Sequence, residues 1–335
     1  VRALVTGATG FLGQHLTSAL LARGAVVTAT GRNREQGAAL ASRGAAFLAA
    51  DLADVAAIAP MIAGHDVVFH CAALASPWGP YEAFERANVT ATRNVVRACL
   101  AGGVRRLVHV STPSIYIEPR DRVGIHEDDP LPKPASAYAA TKLLAEREVA
   151  AGARRGLETI VLRPQAIFGE GDTAVVPRIL RANAERGVPF FGGGRALIDT
   201  TYIDDAVEAL LRAAEAPRDA LGKAFNVTSG SPRTFAELFG AIFASMGVPL
   251  RKRVIPFRVA YGLAFALEAL GRARGVEPPL TRYAVTVLGN SRTLDISRAR
   301  SVLGYTAKVG VDKGIRRAAP YYRRLAEENG WVRFS

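Results

Sequence analysis

The chain has 335 residues, 49% of them hydrophobic and 22% charged, with a formal net charge of +13. That composition excludes a disordered chain, and no uncharged apolar run reaches the 18 or so residues of a membrane span. The basic residues are scattered, the densest cluster being RKR at 251–253, and without a basic tail or an aromatic-interleaved basic run no nucleic-acid partner is expected.

The opening VRALVTG moves straight into a strand pattern rather than a signal peptide, with RALVT (2–6) as the strand and a helix pattern over 11–23. Between them TGATGFLG (6–13) spaces Gly7, Gly10 and Gly13 three apart. Glycines between a first strand and a first helix allow a tight turn, close approach of backbone to phosphate, and close helix-to-strand packing. The amino end of the helix favours an anion there. A second strand, AVVTAT (25–30), ends at Gly31 and Arg32, where an NAD site usually offers a carboxylate to the ribose 2′-hydroxyl. Arg32 instead suits a 2′-phosphate, which favours NADP over NAD, although a solvated surface arginine fits the same position. AAFLAAD (45–51) is a third strand, closed by Asp51, which suits either an adenine amino group or a helix N-cap. DVVFHCAA (66–73), RRLVHVS (105–111) and ETIVLRP (158–164) are the fourth to sixth, with helices over about 81–101 and 136–153 between them.

Strand and helix alternating in this way predict an α/β fold with a doubly wound parallel sheet, its strands nearly continuous apolar runs. After Pro164 glycine and proline punctuate the chain, and helical stretches near 175–186, 204–215 and 234–246 alternate with short strand-like pieces. This predicts a nucleotide-binding domain over 1–165, rejoined by 200–225, and a smaller mixed α/β substrate lobe from 166–199 and 226–335. Ligands should lie beyond the carboxyl ends of the strands, between the lobes. The two cysteines, Cys71 and Cys99, have no CxxC partner, and the five histidines lack i, i+4 pairing with carboxylates. Neither a metal site nor a disulfide is expected, and a reducing cytoplasm is the expected setting.

YAATK (138–142) places Tyr138 and Lys142 on one helix face, a spacing that alone also describes an ordinary helix surface. With TGATGFLG it resembles the extended short-chain dehydrogenase/reductase family, whose nucleotide-binding half is of Rossmann type. The resemblance spans almost the whole chain through DLAD, FHCAA, NVTATRNV, HVSTPSIY, LRPQAIFGEGD and TTYIDDAVEA. It is nearest to the 3β-hydroxysteroid dehydrogenase branch, and STPSIY, PWGPY, DTTYIDD and PPLTRY look like bacterial reductases of 2-alkyl-3-keto acids in olefin synthesis.

The resemblance implies that Tyr138 moves the proton and Lys142 holds the nicotinamide ribose. A free phenol has a pKa of about 10, and a nearby ammonium is expected to lower it. Thr112 is implied as the hydroxyl that polarises the substrate oxygen, with Ser111 and Ser114 as rivals. Asn88 is implied as a support of the active-site helix or of a relay water, or as a buried structural amide. The expected cofactor wall comprises Gly7, Thr9, Gly10, Phe11, Leu12 and Gly13, then Arg32, Asp51, Leu52, Ala72 and Ala73, then Tyr138, Lys142 and Pro164. Arg163 fits either the nicotinamide end or a structural ion pair. Ser114, Trp78, Gln165 and Arg282 are the expected substrate contacts.

The implied reaction is hydride transfer between NADP or NAD and a 3-keto or 3-hydroxy group of a small hydrophobic substrate. Sugar-nucleotide dehydratases carry an acidic pair after Thr112, where this chain has Pro113 and Ser114. Many sugar-nucleotide epimerases carry an arginine where this chain has Ile198, before Asp199, so a 4-epimerase survives as a rival only if Arg195 or Arg282 substitutes. A non-catalytic NADP-binding sensor is a second rival. VIPFRVAYGLAFALEAL (254–270) suits a substrate entrance touching a membrane surface, or alternatively a core-facing helix. The family often forms homodimers through the helices at 81–101 and 136–153.

Overall fold

In the computed structural model, which describes residues 1–332, seven parallel strands form the main sheet. They are β1 (Arg2–Thr6), β2 (Val26–Gly31), β3 (Ala46–Ala49), β4 (Val67–His70), β5 (Arg106–Val110), β6 (Glu158–Pro164) and β7 (Ala224–Val227). The central strands are apolar because helices cover both of their faces: all four residues of β4 and four of the five in β1 are buried. β3 stops at Ala49, short of the expected Asp51, and is mostly exposed, as suits a short edge strand.

The order across the sheet is β7-β6-β5-β4-β1-β2-β3. It reverses between β1 and β4, which opens a crevice at their carboxyl ends, as in other Rossmann-type sheets. The helices Phe11–Ala22 and Ile203–Glu215 cover one face through Leu16, Leu20, Val207 and Leu210. The other face is covered through Ile58, Ile62, Val95, Cys99 and Val149. Ile296, Ala299, Leu303 and Tyr305 also join the first of these cores, far from it in sequence.

The second lobe has its own core, built on Phe168, Ile179, Phe190, Phe235, Phe239, Ile242 and Tyr322. Phe11 and Leu12, at the start of the first helix, pack against it. A four-stranded sheet lies beside it, ordered Arg233–Thr234, Leu197–Ile198, Arg292–Leu294, Arg122–Ile125. The last of these strands comes from the first half of the chain.

The helix expected over 81–101 is broken. Tyr81–Phe84 and Ala91–Ala101 are α-helical, and Glu85–Thr90 between them is a π-helical turn holding Asn88. The helix Ala137–Ala153 starts as expected at Ser136, whose side chain accepts from the Ala139 N–H. It is tied to β6 by a buried ion pair, Arg163 Nη2 to Glu146 Oε2 at 2.6 Å, and Arg163 also donates to the Tyr116 hydroxyl. Arg163 is therefore held as a structural ion-pair partner.

Candidate active site

The glycine turn lies at the switch point. Gly7 has φ +66°, and a Cβ there would sit 2.6 Å from the Ala72 backbone nitrogen. A Cβ on Gly13 would sit 2.2 Å from the Gly7 carbonyl oxygen. Gly10 begins the first helix with no side-chain cap, which suits a helix end left for an anion. The adjoining cavity, ≈ 220 Å³, is lined by Gly7, Thr9, Gly10, Arg32, Asp51, Leu52, Ala72 and Ala73, all expected from sequence. A Cβ on Gly31 would meet the Thr9 side chain, Oγ1 at 2.4 Å, so a larger residue there would have to displace Thr9. Arg32 is exposed at the cavity wall, beside Asp51. Asp51 accepts from the Ala53 N–H and pairs with Arg86 at 2.7 Å, and these partners hold its carboxyl below the usual range. It is not a helix N-cap: Asp54 caps the helix Val55–Ile62 instead.

Gly7, Gly10 and Ala73 also border a second cavity of ≈ 550 Å³. Phe11, Leu12, Gly13, Thr112, Ser114, Tyr138, Lys142, Pro164 and Gln165 line it. A glycine cradle at a bare helix end, continuous with a cleft of this size, fits an extended dinucleotide. All three rival hydroxyls line this cavity with Tyr138, and Thr112 is the one that acts to lower the Tyr138 pKa. Thr112 accepts from the Ser114 N–H at 3.1 Å and donates to Ser114 Oγ at 3.0 Å, and Ser114 Oγ meets the Tyr283 hydroxyl at 2.9 Å. The Ser111 hydroxyl is buried without a partner. Asn88 lies outside the cavities and is fully engaged: its Oδ1 accepts from the Leu74 N–H, and its Nδ2 donates to Leu74 O and to Thr141 Oγ1. It clamps the Tyr138 helix to the loop after β4.

The expected lowering of the Tyr138 pKa is not what the structure gives. Burial pushes the phenol up to about 12, outweighing the lowering effect of the nearby Thr112 hydroxyl. The Lys142 ammonium instead donates to Val110 O at 2.6 Å and contacts His109 Nε2 at 3.2 Å. Burial brings Lys142 down to about 8, and it keeps its neighbours His70 and His109 neutral together with their own burial. A lysine whose pKa falls on folding binds fewer protons in the native state, so its burden on stability is fully present below pH 8 and lifts as pH rises toward about 10.4. In the free protein, wild type should therefore gain about 2 kcal/mol relative to Lys142→Met between pH 7.5 and pH 9.5, measured by urea unfolding. A pH-independent difference would show that Lys142 is not depressed.

A third cavity, ≈ 260 Å³, adjoins Tyr138 on its other side and is lined by Pro77, Trp78, Phe84, Arg282 and Tyr283. Arg282 has its charge met there by Glu268 at 2.8 Å and lies over the Phe265 ring. Arg195 is exposed and lines none of these cavities. Tyr283, His109 and Arg292 are brought to the site by the fold and were not expected there from sequence. The helix Phe257–Arg274 buries Ala260, Ala264, Gly271 and Glu268 on one face, with Phe257 and Tyr261 packed on the same cluster as Phe191 and Val285, and leaves Val259, Leu263, Phe265 and Leu270 exposed on the other. The segment thus combines a core-facing side with an exposed apolar one. No helix among the described residues is long and apolar enough to cross a membrane, and no cluster of His, Cys, Asp and Glu among them could hold a metal ion.

Residues 3–228 match the model of the NAD dependent epimerase/dehydratase family. The chain is 38% identical over 326 residues to a 2-alkyl-3-oxoalkanoate reductase of Stenotrophomonas maltophilia, covering 95% of this chain and 98% of that one. It is 31% identical to a mouse (Mus musculus) protein named sterol-4-alpha-carboxylate 3-dehydrogenase, decarboxylating, covering 97% and 91%. Among solved structures it is similar to MoeE5 in complex with UDP-glucose and NAD, with a TM-score of 0.78 and 29% identity over 97% of this chain and 99% of that one.

Proposed function

We propose a reaction for this chain, which belongs to the NAD dependent epimerase/dehydratase family: NAD(P)-dependent hydride transfer at a 3-oxo or 3-hydroxy carbon of a small hydrophobic substrate, with a 2-alkyl-3-oxo acid as first candidate. The observation that carries this reading is that Tyr138, Thr112 and Lys142 line one cleft, which shares Gly7 and Gly10 with the cavity at the glycine turn. When bound, the nicotinamide cofactor supplies the hydride. The chain's own residues do the rest. Gly7, Gly10 and Gly13 receive the diphosphate at the helix end. Tyr138, a phenol that burial raises further, is suited to donate its proton to the substrate oxygen as charge develops there. Thr112, in the same cleft lining, is placed to polarise that oxygen together with Tyr138. Lys142, fixed by Val110 and His109, orients the cofactor ribose, and Asn88 holds the helix that carries both residues.

NADP is the preferred cofactor in this proposal, because Gly31 offers no repelling carboxylate and Arg32 carries the charge a 2′-phosphate needs. Arg32→Ser should cut kcat/KM for NADPH roughly tenfold or more while leaving NADH nearly unchanged, a charge-assisted contact being worth about 1.5–3 kcal/mol. Equal losses with both cofactors would sink the assignment.

Loss of NADPH absorbance with a long-chain 2-alkyl-3-oxo acid tests the reaction. Tight NADPH binding with no turnover would move the reading to a sensor, and interconversion of UDP-sugars would move it to a 4-epimerase. Against the epimerase stand Ile198, the exposed Arg195 and the neutralised Arg282. The exposed apolar face of Phe257–Arg274, with Arg251, Lys252, Arg253, Arg258, Arg272 and Arg274 around it, favours peripheral contact with an anionic lipid surface in the cytoplasm. No nucleic acid is proposed, and a homodimer through Ala91–Ala101 and Ala137–Ala153 is the assembly to test by sedimentation.

A further inference from the structure

Arg292 lies in the wall of the ≈ 550 Å³ cleft and is 3% exposed. Its guanidinium has no hydrogen bond or ion pair among the described residues, and Nη2 is wholly buried without a partner. Buried charges are otherwise paired in folded proteins, and the other buried arginines follow that rule, Arg106 with Glu158 and Arg163 with Glu146. The carboxylate one residue past its strand partner Ile198, Asp199, is turned away to accept from the Leu294 N–H at 2.8 Å. Arg122, the neighbouring cation, is itself engaged by Glu118 and Asp129.

The surroundings of Arg292 carry direction. Thr112 Oγ1, Ser114 Oγ and the Tyr283 hydroxyl form a line of hydrogen bonds in the cleft that Tyr138 also lines, and Arg292 lines the same cleft, close enough for its charge to act on Tyr283. Ile117, Val175 and Val287, elsewhere in the same lining, are apolar. A ligand with one polar edge and an alkyl body would place that edge along the hydroxyls. An anionic group at the end of the edge would give Arg292 the partner it lacks, with the planar two-point geometry that a guanidinium offers a carboxylate.

We propose that Arg292, assisted by Tyr283, is the receptor for the carboxylate of an acidic substrate, and so selects a 3-oxo or 3-hydroxy acid over the corresponding neutral ketone or ester. This deepens the reductase reading and rests on it for the identity of the substrate. Ile198, the position where many epimerases carry an arginine, is the ladder partner of Arg292, so a diphosphate is the competing anion that a test must separate.

The test is calorimetric binding to the NADP⁺-loaded protein of a long-chain 2-alkyl-3-hydroxy acid, its methyl ester and UDP-glucose, for wild type, Arg292→Met and Arg292→Lys. NADP⁺ affinity and melting temperature of each variant serve as the folding control. In wild type the acid should bind on the order of 100-fold more tightly than the ester. Arg292→Met should bind both alike, with the ester unchanged, and Arg292→Lys should recover part of the preference. If Arg292→Met does not fold, the lysine variant decides, by a selective loss of acid binding of about tenfold. No preference in wild type, a preference that survives Arg292→Met, or equal loss of acid and ester would overturn the assignment. So would UDP-glucose as the one ligand that depends on Arg292. Preference for the acid without any oxidation or reduction would leave the assignment standing and sink the reductase reading instead.

Discussion

Tyr138→Phe should lower kcat roughly 10²–10⁴-fold and leave NADPH affinity within about twofold. The ring stays in place, and the change removes one hydroxyl. Thr112 keeps its bonds to the Ser114 N–H and Ser114 Oγ, so the loop after β5 has no reason to move. What is lost is the proposed proton donor, a phenol that burial raises further, to about 12. Reduction rates in wild type should accordingly show no fall attributable to the phenol below pH 9 in the free enzyme. Stopped-flow single turnover with NADPH in excess separates chemistry from binding. A Phe variant with near wild-type chemistry would remove Tyr138 from the reaction altogether.

The second large effect is expected far from the reacting carbon. Gly13→Val should raise the dissociation constant for NADPH more than 100-fold and cost about 1–3 kcal/mol of stability. A Cβ at Gly13 meets Gly7 O at 2.2 Å and Ala8 Cα at 2.7 Å. These are backbone atoms of the turn itself, and no flexible side chain can move to make room. The helix must therefore lift off the strand, carrying its N–H groups away from the diphosphate. Gly24→Ala is the control. Gly24 has φ +73° but nothing within 4 Å of a Cβ, so it should lose about 1–2 kcal/mol with cofactor affinity intact. Urea unfolding and fluorescence titration of NADPH measure both quantities, and equal cofactor losses in the two variants would contradict the steric account.

The strands were legible because strands buried on both faces, such as β4 and β5, must be written as apolar runs. The glycine turn was legible because spacing and position agreed, and the Tyr138 helix because Ser136 caps it. Three features were not. Arg122–Ile125 pairs with Arg292–Leu294 across 170 residues, and four residues with a glycine among them carry no sign of that partner. Tyr283 and Arg292 reach the cleft through the same small sheet and the helix before it, so only folding reveals them. The rise of the Tyr138 pKa was not legible because sequence spacing gives the distance between two residues along a helix but neither the burial that dominates the phenol nor the acceptors Val110 O and His109 that engage the ammonium.

The π-helical turn at Glu85–Thr90 has one more residue per turn than the α-helix it interrupts. The segments on either side are consequently out of phase by about 100°. Phe84, before the turn, faces the chamber beside Trp78, whereas Asn88, within it, grips Thr141 behind the proton donor. Shortening the turn by one residue would restore ideal winding and rotate one of the two contacts off its target. The inserted residue works as a phase adjuster between the wall of the chamber at Phe84 and the clamp at Asn88.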